Sequence, residues 1–190
     1  MTNKKIIGLT GPIASGKTLA AKVFKEKGAK IIDADDIGHE LLKNKEIEEK
    51  IIKAFGEDIL KKGQVDRKVL GQIVFSDPLK LHKLNSLLHP LIIEKIKAEV
   101  EKSSRKIIVI DAALPNLFEG ITKEIWLVKS SNISRLMRLM KHGLSKDEAL
   151  KRMNSQMSIK DYEKMAKKII ENDGEPKDLE NEVSKIVESL

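Results

Sequence analysis

Cysteine is absent from the 190 residues, which excludes disulfides, thiolate nucleophiles and Cys-ligated zinc. Aromatic residues are scarce at 3%, with one Trp, one Tyr and four Phe. The core must therefore be built mainly from Ile, Leu and Val, and the interleaved aromatics that stack on unpaired bases are missing. No apolar run approaches the length that crosses a bilayer. The opening MTNKKIIGLTGP also lacks the apolar stretch of a secretory leader. A cytoplasmic protein with no membrane partner is expected. Repeats, low-complexity tracts and evident linkers are missing too, and the length fits one domain with at most a small lid.

Charge is what the chain has in quantity: 36 basic and 29 acidic residues give a net +7. The lysines are interspersed with glutamates, as in EIEEKIIK and IIEKIKAEVEK. That pattern describes solvated helix faces suited to a small polyanionic substrate better than a nucleic-acid track. His39, His82, His89 and His142 have no metal-ligand spacing.

Short apolar runs alternate with longer amphipathic ones. Strands are expected at Lys5 to Thr10, Lys30 to Ile32, Lys106 to Ile110, Glu124 to Val128 and Lys168 to Ile170. Between them, helices are expected from Lys17 to Lys27, closed by Gly28, and over two or three segments before a long helix from Pro78 to Ser103 with a kink at Pro90. Further helices should cover Asn132 to Lys141, Ser145 to Gln156, Ile159 to Ala166 and the stretch after Pro176. Strands alternating with helices imply an α/β fold of three layers: a five-stranded parallel sheet flanked by helices, with its ligand at the strand ends on one edge.

The decisive string is Gly11-Pro12-Ile13-Ala14-Ser15-Gly16-Lys17-Thr18, which fits G-x-x-x-x-G-K-[ST] between a strand and a helix. Glycine at both ends permits backbone conformations and close approach that a side chain would block. The loop amides and the helix N-terminus supply partial positive charge to phosphates. Lys17 reaches the β- and γ-phosphates, and the Thr18 hydroxyl suits Mg2+. The expected ligand is ATP with Mg2+.

A phosphate loop alone serves kinases, GTPases and motor ATPases. No Asn-Lys-x-Asp guanine reader is present, and motor ATPases are usually larger. A small kinase needs a group to deprotonate its acceptor, a carboxylate on the metal side, and cations over the phosphates. Asp33, closing the second strand, is a candidate base or else a helix cap. Asp111, closing KIIVI, is a candidate metal-side carboxylate or else a turn former. Arg135 and Arg138 share a helix face and, with Lys141 and Arg152, form either a basic lid or a solvated surface.

With these parts in place, the chain resembles the dephospho-coenzyme A kinase family along nearly its whole length. The matching strings are IIGLTGPIASGKT, IIDADDIGHELL, VDRKVLGQIVFSD, LNSLLHPLI, IIVIDAALPNLFEG, RLMRLMKHGLSKDEALKRMNSQ and IIENDG. The resemblance implies transfer of the γ-phosphoryl group of ATP to the ribose 3′-hydroxyl of dephospho-coenzyme A. It makes Asp33 the base and places Arg67 and His89 in a helical acceptor-binding region. Arg138 and Arg152 fall in the lid, and Asn172 and Gly174 in the adenine-side loop. The expected organisation is a core of residues 1–35, 103–130 and 167–190, an acceptor-binding region at 36–102 and a lid at 131–166, acting as a monomer on a small molecule. A nucleoside or nucleotide kinase of the same architecture and a non-catalytic ATP-binding relative are the alternatives.

Four departures from the family pattern stand out. Pro12 and Ala14 replace two loop glycines, and the segment from Asp111 to Glu119 is two residues longer. His142 stands where the family commonly has a lid arginine, in a loop one residue shorter, and Lys167 follows Ala166 in place of aspartate. Lys141 is the nearest replacement cation.

Overall fold

The computed structural model describes residues 4–61 and 63–190. These form two compact units, one made of the chain up to Asp33 together with Glu99–Leu190, the other of Ala34–Ala98.

The first unit is built on five parallel strands: β1 (Lys5–Thr10), β2 (Lys30–Asp33), β5 (Ile107–Asp111), β6 (Ile125–Lys129) and β7 (Lys168–Glu171). Their order across the sheet is β2-β5-β1-β6-β7. β5 thus comes between β1 and β2, so the connections leaving β1 and β5 run to opposite sides, and a crevice opens at the strand ends there. Register places Asp33 beside Asp111, and Asp111 beside Leu9.

Alternation along β1 separates the two faces of the sheet. Ile7 and Leu9 are fully buried in a cluster with Ala20, Val23 and Phe24 of α1 (Lys17–Glu26), and with Leu179 and Val183 of α9 (Pro176–Glu188). Trp126 of β6 joins the same cluster, with its ring 5.8 Å from that of Phe24. Its indole N–H donates to Glu124 at 2.9 Å, so the one tryptophan is buried without leaving a donor unmet. On the opposite face, Gly8 makes room for Phe118, whose ring carbons lie 2.7–2.9 Å from where a Cβ would stand.

Phe118 closes a short 3-10 turn, Pro115–Phe118, within the segment that is longer than the family pattern. Within this segment Phe118 is buried, whereas Leu114 and Glu119 are exposed.

Three helices follow β7's neighbour β6: α6 (Asn132–Lys141), α7 (Lys146–Asn154) and α8 (Ile159–Met165). Each begins at a serine, and α7 has a full capping box between Ser145 and Glu148. That box explains why α7 starts one residue after Ser145, which is the cap itself. Gly28, at φ 92°, follows the C-cap of α1 as expected.

The second unit contains α2 (Ala34–Leu41), α3 (Lys45–Phe55), α4 (Arg67–Phe75) and most of α5 (Pro78–Lys102), which is helical through Pro90. Its buried apolar side chains are all aliphatic, among them Ile37, Leu41, Ile51, Ile59, Leu70, Val74, Leu88 and Ile92. A two-stranded antiparallel hairpin, β3 (Leu60–Lys61) and β4 (Gln64–Val65), lies outside the helices expected there. Strands of two residues leave no period to detect. Among the described residues no helix is long and apolar enough to cross a membrane.

Candidate active site

The phosphate loop follows β1 and ends at Gly16, the N-cap of α1, at φ 100° and without a side-chain cap. The helices α3, α4, α6, α7 and α8 are capped by Asn, Asp or Ser side chains, and no acid occupies the first turn of α1. Its N-terminal amides and the positive end of its dipole therefore have no side-chain acceptor, the local condition for binding an anion.

Both loop glycines are sterically required. A Cβ at Gly11 would stand 2.5 Å from the Val128 carbonyl oxygen and 2.7 Å from the Ser15 hydroxyl. At Gly16 it would stand 2.1 Å from the Asn172 side-chain nitrogen. Ala14 is the one non-glycine with positive φ, at 61°, among the described residues. Pro12 is buried beside it.

The loop is gripped on its outer side. Three successive carbonyls accept hydrogen bonds: that of Ile13 from Arg135 Nε at 2.9 Å, that of Ala14 from Arg138 at 3.1 Å, and that of Ser15 from the Asn172 amide at 2.7 Å. Arg138 also donates to the Asn172 carbonyl at 2.8 Å and to the Ser130 hydroxyl at 3.1 Å. Asp173 in turn accepts from Ser130 Oγ at 2.9 Å and from the Ser131 N–H at 2.8 Å, at the start of α6. The Ser131 backbone N–H, followed by the Ser134 hydroxyl, holds the Asp173 carboxyl well below the usual carboxylate range.

On the inner side, Lys17 Nζ donates to Asp111 Oδ1. Asp111 is buried at the end of β5, in register with Asp33 at the end of β2. The structure thus brings Asp33, Asp111, Lys17 and the loop to one edge of the sheet, and Thr18 is exposed on the first turn of α1. Among the described residues no three His, Cys, Asp or Glu side chains gather to hold a metal.

The family model for dephospho-CoA kinase matches residues 5–178. A dephospho-CoA kinase of Fusobacterium nucleatum is 40% identical over 97% of this chain and 98% of its own length. The chain belongs to the dephospho-CoA kinase family. Among solved structures, one from Thermus thermophilus is 31% identical with a TM-score of 0.82, covering 99% of this chain and 98% of that one. A dephospho-CoA kinase from Campylobacter jejuni, also 31% identical, superposes with a TM-score of 0.68 over 98% of this chain and 96% of its own.

Against the family pattern, the remaining expected residues fall in separate places. Asn172 and Gly174 follow β7, where Asn172 uses its side chain on the phosphate loop. A Cβ at Gly174 would meet the Asp178 carboxylate at 2.6 Å, the group that caps α9. Arg67 begins α4 in the second unit and donates to His39 Nε2, while burial pushes the His89 imidazole on α5 below its ordinary pKa. Lys141, His142 and Arg152 are exposed. Lys167 pairs with Glu124 at 3.8 Å, so the change from the family's aspartate is locally matched.

Sequence reasoning missed Gln156, which accepts from the Ile13 N–H at 2.8 Å, and Asp173. Gln156 belongs to no periodic pattern. Asp173 had a readable signal in its position just past a strand end on the ligand edge.

Proposed function

We propose that the chain transfers the γ-phosphoryl group of ATP to the ribose 3′-hydroxyl of dephospho-CoA, giving CoA and ADP. The observation that carries this reading is membership of the dephospho-CoA kinase family over 5–178, in a chain whose phosphate loop has the anion-binding form described. ATP is then the phosphoryl donor, and the acceptor is a small molecule.

In the proposed reaction the acceptor oxygen forms a bond to the γ-phosphorus as the bond from that phosphorus to the β–γ bridging oxygen breaks. The acceptor proton passes to a carboxylate oxygen of Asp33. Gly11, Pro12, Ile13, Ala14, Ser15 and Gly16 form the cradle, with Lys17 placing a point charge on the phosphates. Lys17, which donates to Asp111 Oδ1, would direct its ammonium to the phosphates of bound ATP. Arg138 acts at the same loop, and Asn172 and Gly174 border the nucleotide. Arg67 and His89, on the second unit, keep the acceptor-binding role.

Thr18 and Asp111 offer oxygen donors and no closed cage, which suits Mg2+, an ion that keeps waters and is held largely by substrate phosphates. When bound it would neutralise charge on the β- and γ-oxygens. A lid at 131–166, a monomeric state and a cytoplasmic location complete the proposal.

The test is incubation of the purified chain with ATP, magnesium and dephospho-CoA, following CoA by mass. CoA formation is the expected result. ATP turnover with nucleosides and none with dephospho-CoA would replace the acceptor; ATP binding without turnover on either would remove the catalytic reading.

A further inference from the structure

Ala14 sits in the left-handed region, which is disfavoured for an L-residue. Strained conformations persist where the surroundings over-determine them. The peptide just before Ala14 is fixed by one such contact, supplied by Arg135, which the sequence leaves open between a basic lid and a solvated surface.

Arg135 is buried, only 5% exposed, and burial pushes its guanidinium below its ordinary pKa. Its partners are neutral oxygens: the Ile13 carbonyl at 2.9 Å, Asn132 Oδ1 at 3.2 Å and Gln156 Oε1 at 3.3 Å. The same Gln156 oxygen accepts from the Ile13 N–H at 2.8 Å. Ile13 is therefore held through both its N–H and its C=O by two side chains that also hold each other.

We infer that Arg135 and Gln156 are a positioning pair for the phosphate loop, fixing the peptides on either side of Ile13 so that ATP meets a preset cradle. A flip of the Ile13–Ala14 peptide would turn a carbonyl oxygen toward an incoming phosphate, and carbonyl dipoles repel anions. Arg135 holds that oxygen on the outer side of the loop. Gln156 fixes the preceding peptide and one arm of the arginine. The pair touches no reacting atom; it acts through the loop, and so on ATP affinity.

This inference rests on the ATP-binding part of the proposed function and is independent of the acceptor. Gln156 is only partly buried, so it is the residue to change. Gln156→Met keeps length and loses the acceptor; Gln156→Glu keeps an oxygen for both donors. Binding of a non-hydrolysable ATP analogue with magnesium is measured by calorimetry, alongside the KM values for ATP and dephospho-CoA. Gln156→Met should weaken analogue binding about tenfold, the scale of hydrogen bonds to a charged group. The KM for ATP should rise in step and that for dephospho-CoA stay unchanged. Gln156→Glu, which keeps both hydrogen bonds but adds a charge near the loop, should lose less affinity than Gln156→Met once salt screens that charge. Wild-type affinity in Gln156→Met, equal loss in Gln156→Glu, or a parallel rise in both KM values would each overturn the pairing. A parent chain that binds the analogue but leaves dephospho-CoA unphosphorylated refutes the acceptor reading, and the calorimetric comparison still decides this one.

Discussion

Ala14 and Gly16 both have positive φ, at 61° and 100°, yet only one of them is glycine. The difference is what lies beyond the Cβ. At Gly16 any added side chain meets Asn172, whereas Ala14 already carries its methyl and bears the conformational cost of a positive φ. Ala14→Gly should therefore stabilise the fold by about 1 kcal/mol, or about 2–4 °C in Tm for a chain of this size. An unchanged or lower Tm in a thermal melt would mean that the loop's outer contacts already absorb the strain. The roles of Lys17 and Asp33 separate by kinetics. Lys17→Met should weaken ATP binding and turnover together, because it removes charge that both the ground and transition states use. Asp33→Asn should keep ATP affinity and lose about 10²–10⁴ in kcat, the usual range for a general base. Near-parent turnover in Asp33→Asn would take the base role from it.

At the start of α6, a carboxylate supplied from after β7 adds to the local serine cap. Ser131 is the N-cap, and Asp173 binds its N–H while adding negative charge at the positive end of the helix. Because the folded carboxyl lies below the ordinary value, the unfolded chain takes up this proton first as pH falls. The stabilisation is thus complete above about pH 4 and is lost as acid titrates the folded group. Urea midpoints of the parent should fall more steeply below about pH 4 than those of Asp173→Asn, and parallel curves would show that Asp173 adds no such linkage. The elements themselves were legible because each carries its own signal: the apolar strands, the serine caps, Gly28. The hairpin at Leu60–Lys61 and Gln64–Val65 was not, since two residues cannot display alternation. Likewise, Gly11 to Thr18 announce a phosphate loop by type and spacing. Arg135 and Asn172, legible as candidates but not as partners of this loop, and Gln156, which no local pattern marks, support it from far along the chain.

The two units differ in how much core each helix can use. In the first, β1 is buried from Ile7 through Thr10, and α1 and α9 close over the same cluster, with Trp126 and Phe24 inside it. In the second, α3 buries one side chain of its eleven residues, Ile51, and α4 buries two of nine, Leu70 and Val74. A fully buried aliphatic side chain contributes about 1.5–3 kcal/mol, whereas ordering each residue's backbone costs about 1–2 kcal/mol. Helices with so few buried side chains open at lower free energy than the sheet, and such segments exchange their amides without global unfolding. Native-state hydrogen exchange should therefore find the amides of β1, β5 and β6 the most protected and reporting the global stability. Those of α3 and α4 should exchange sooner, with a weak dependence on low denaturant, because their opening exposes little surface. Protection in α3 equal to that in β1, with the same denaturant slope, would mean that the chain unfolds as one cooperative body. The lower local stability expected of α3 and α4 would then have to be dropped.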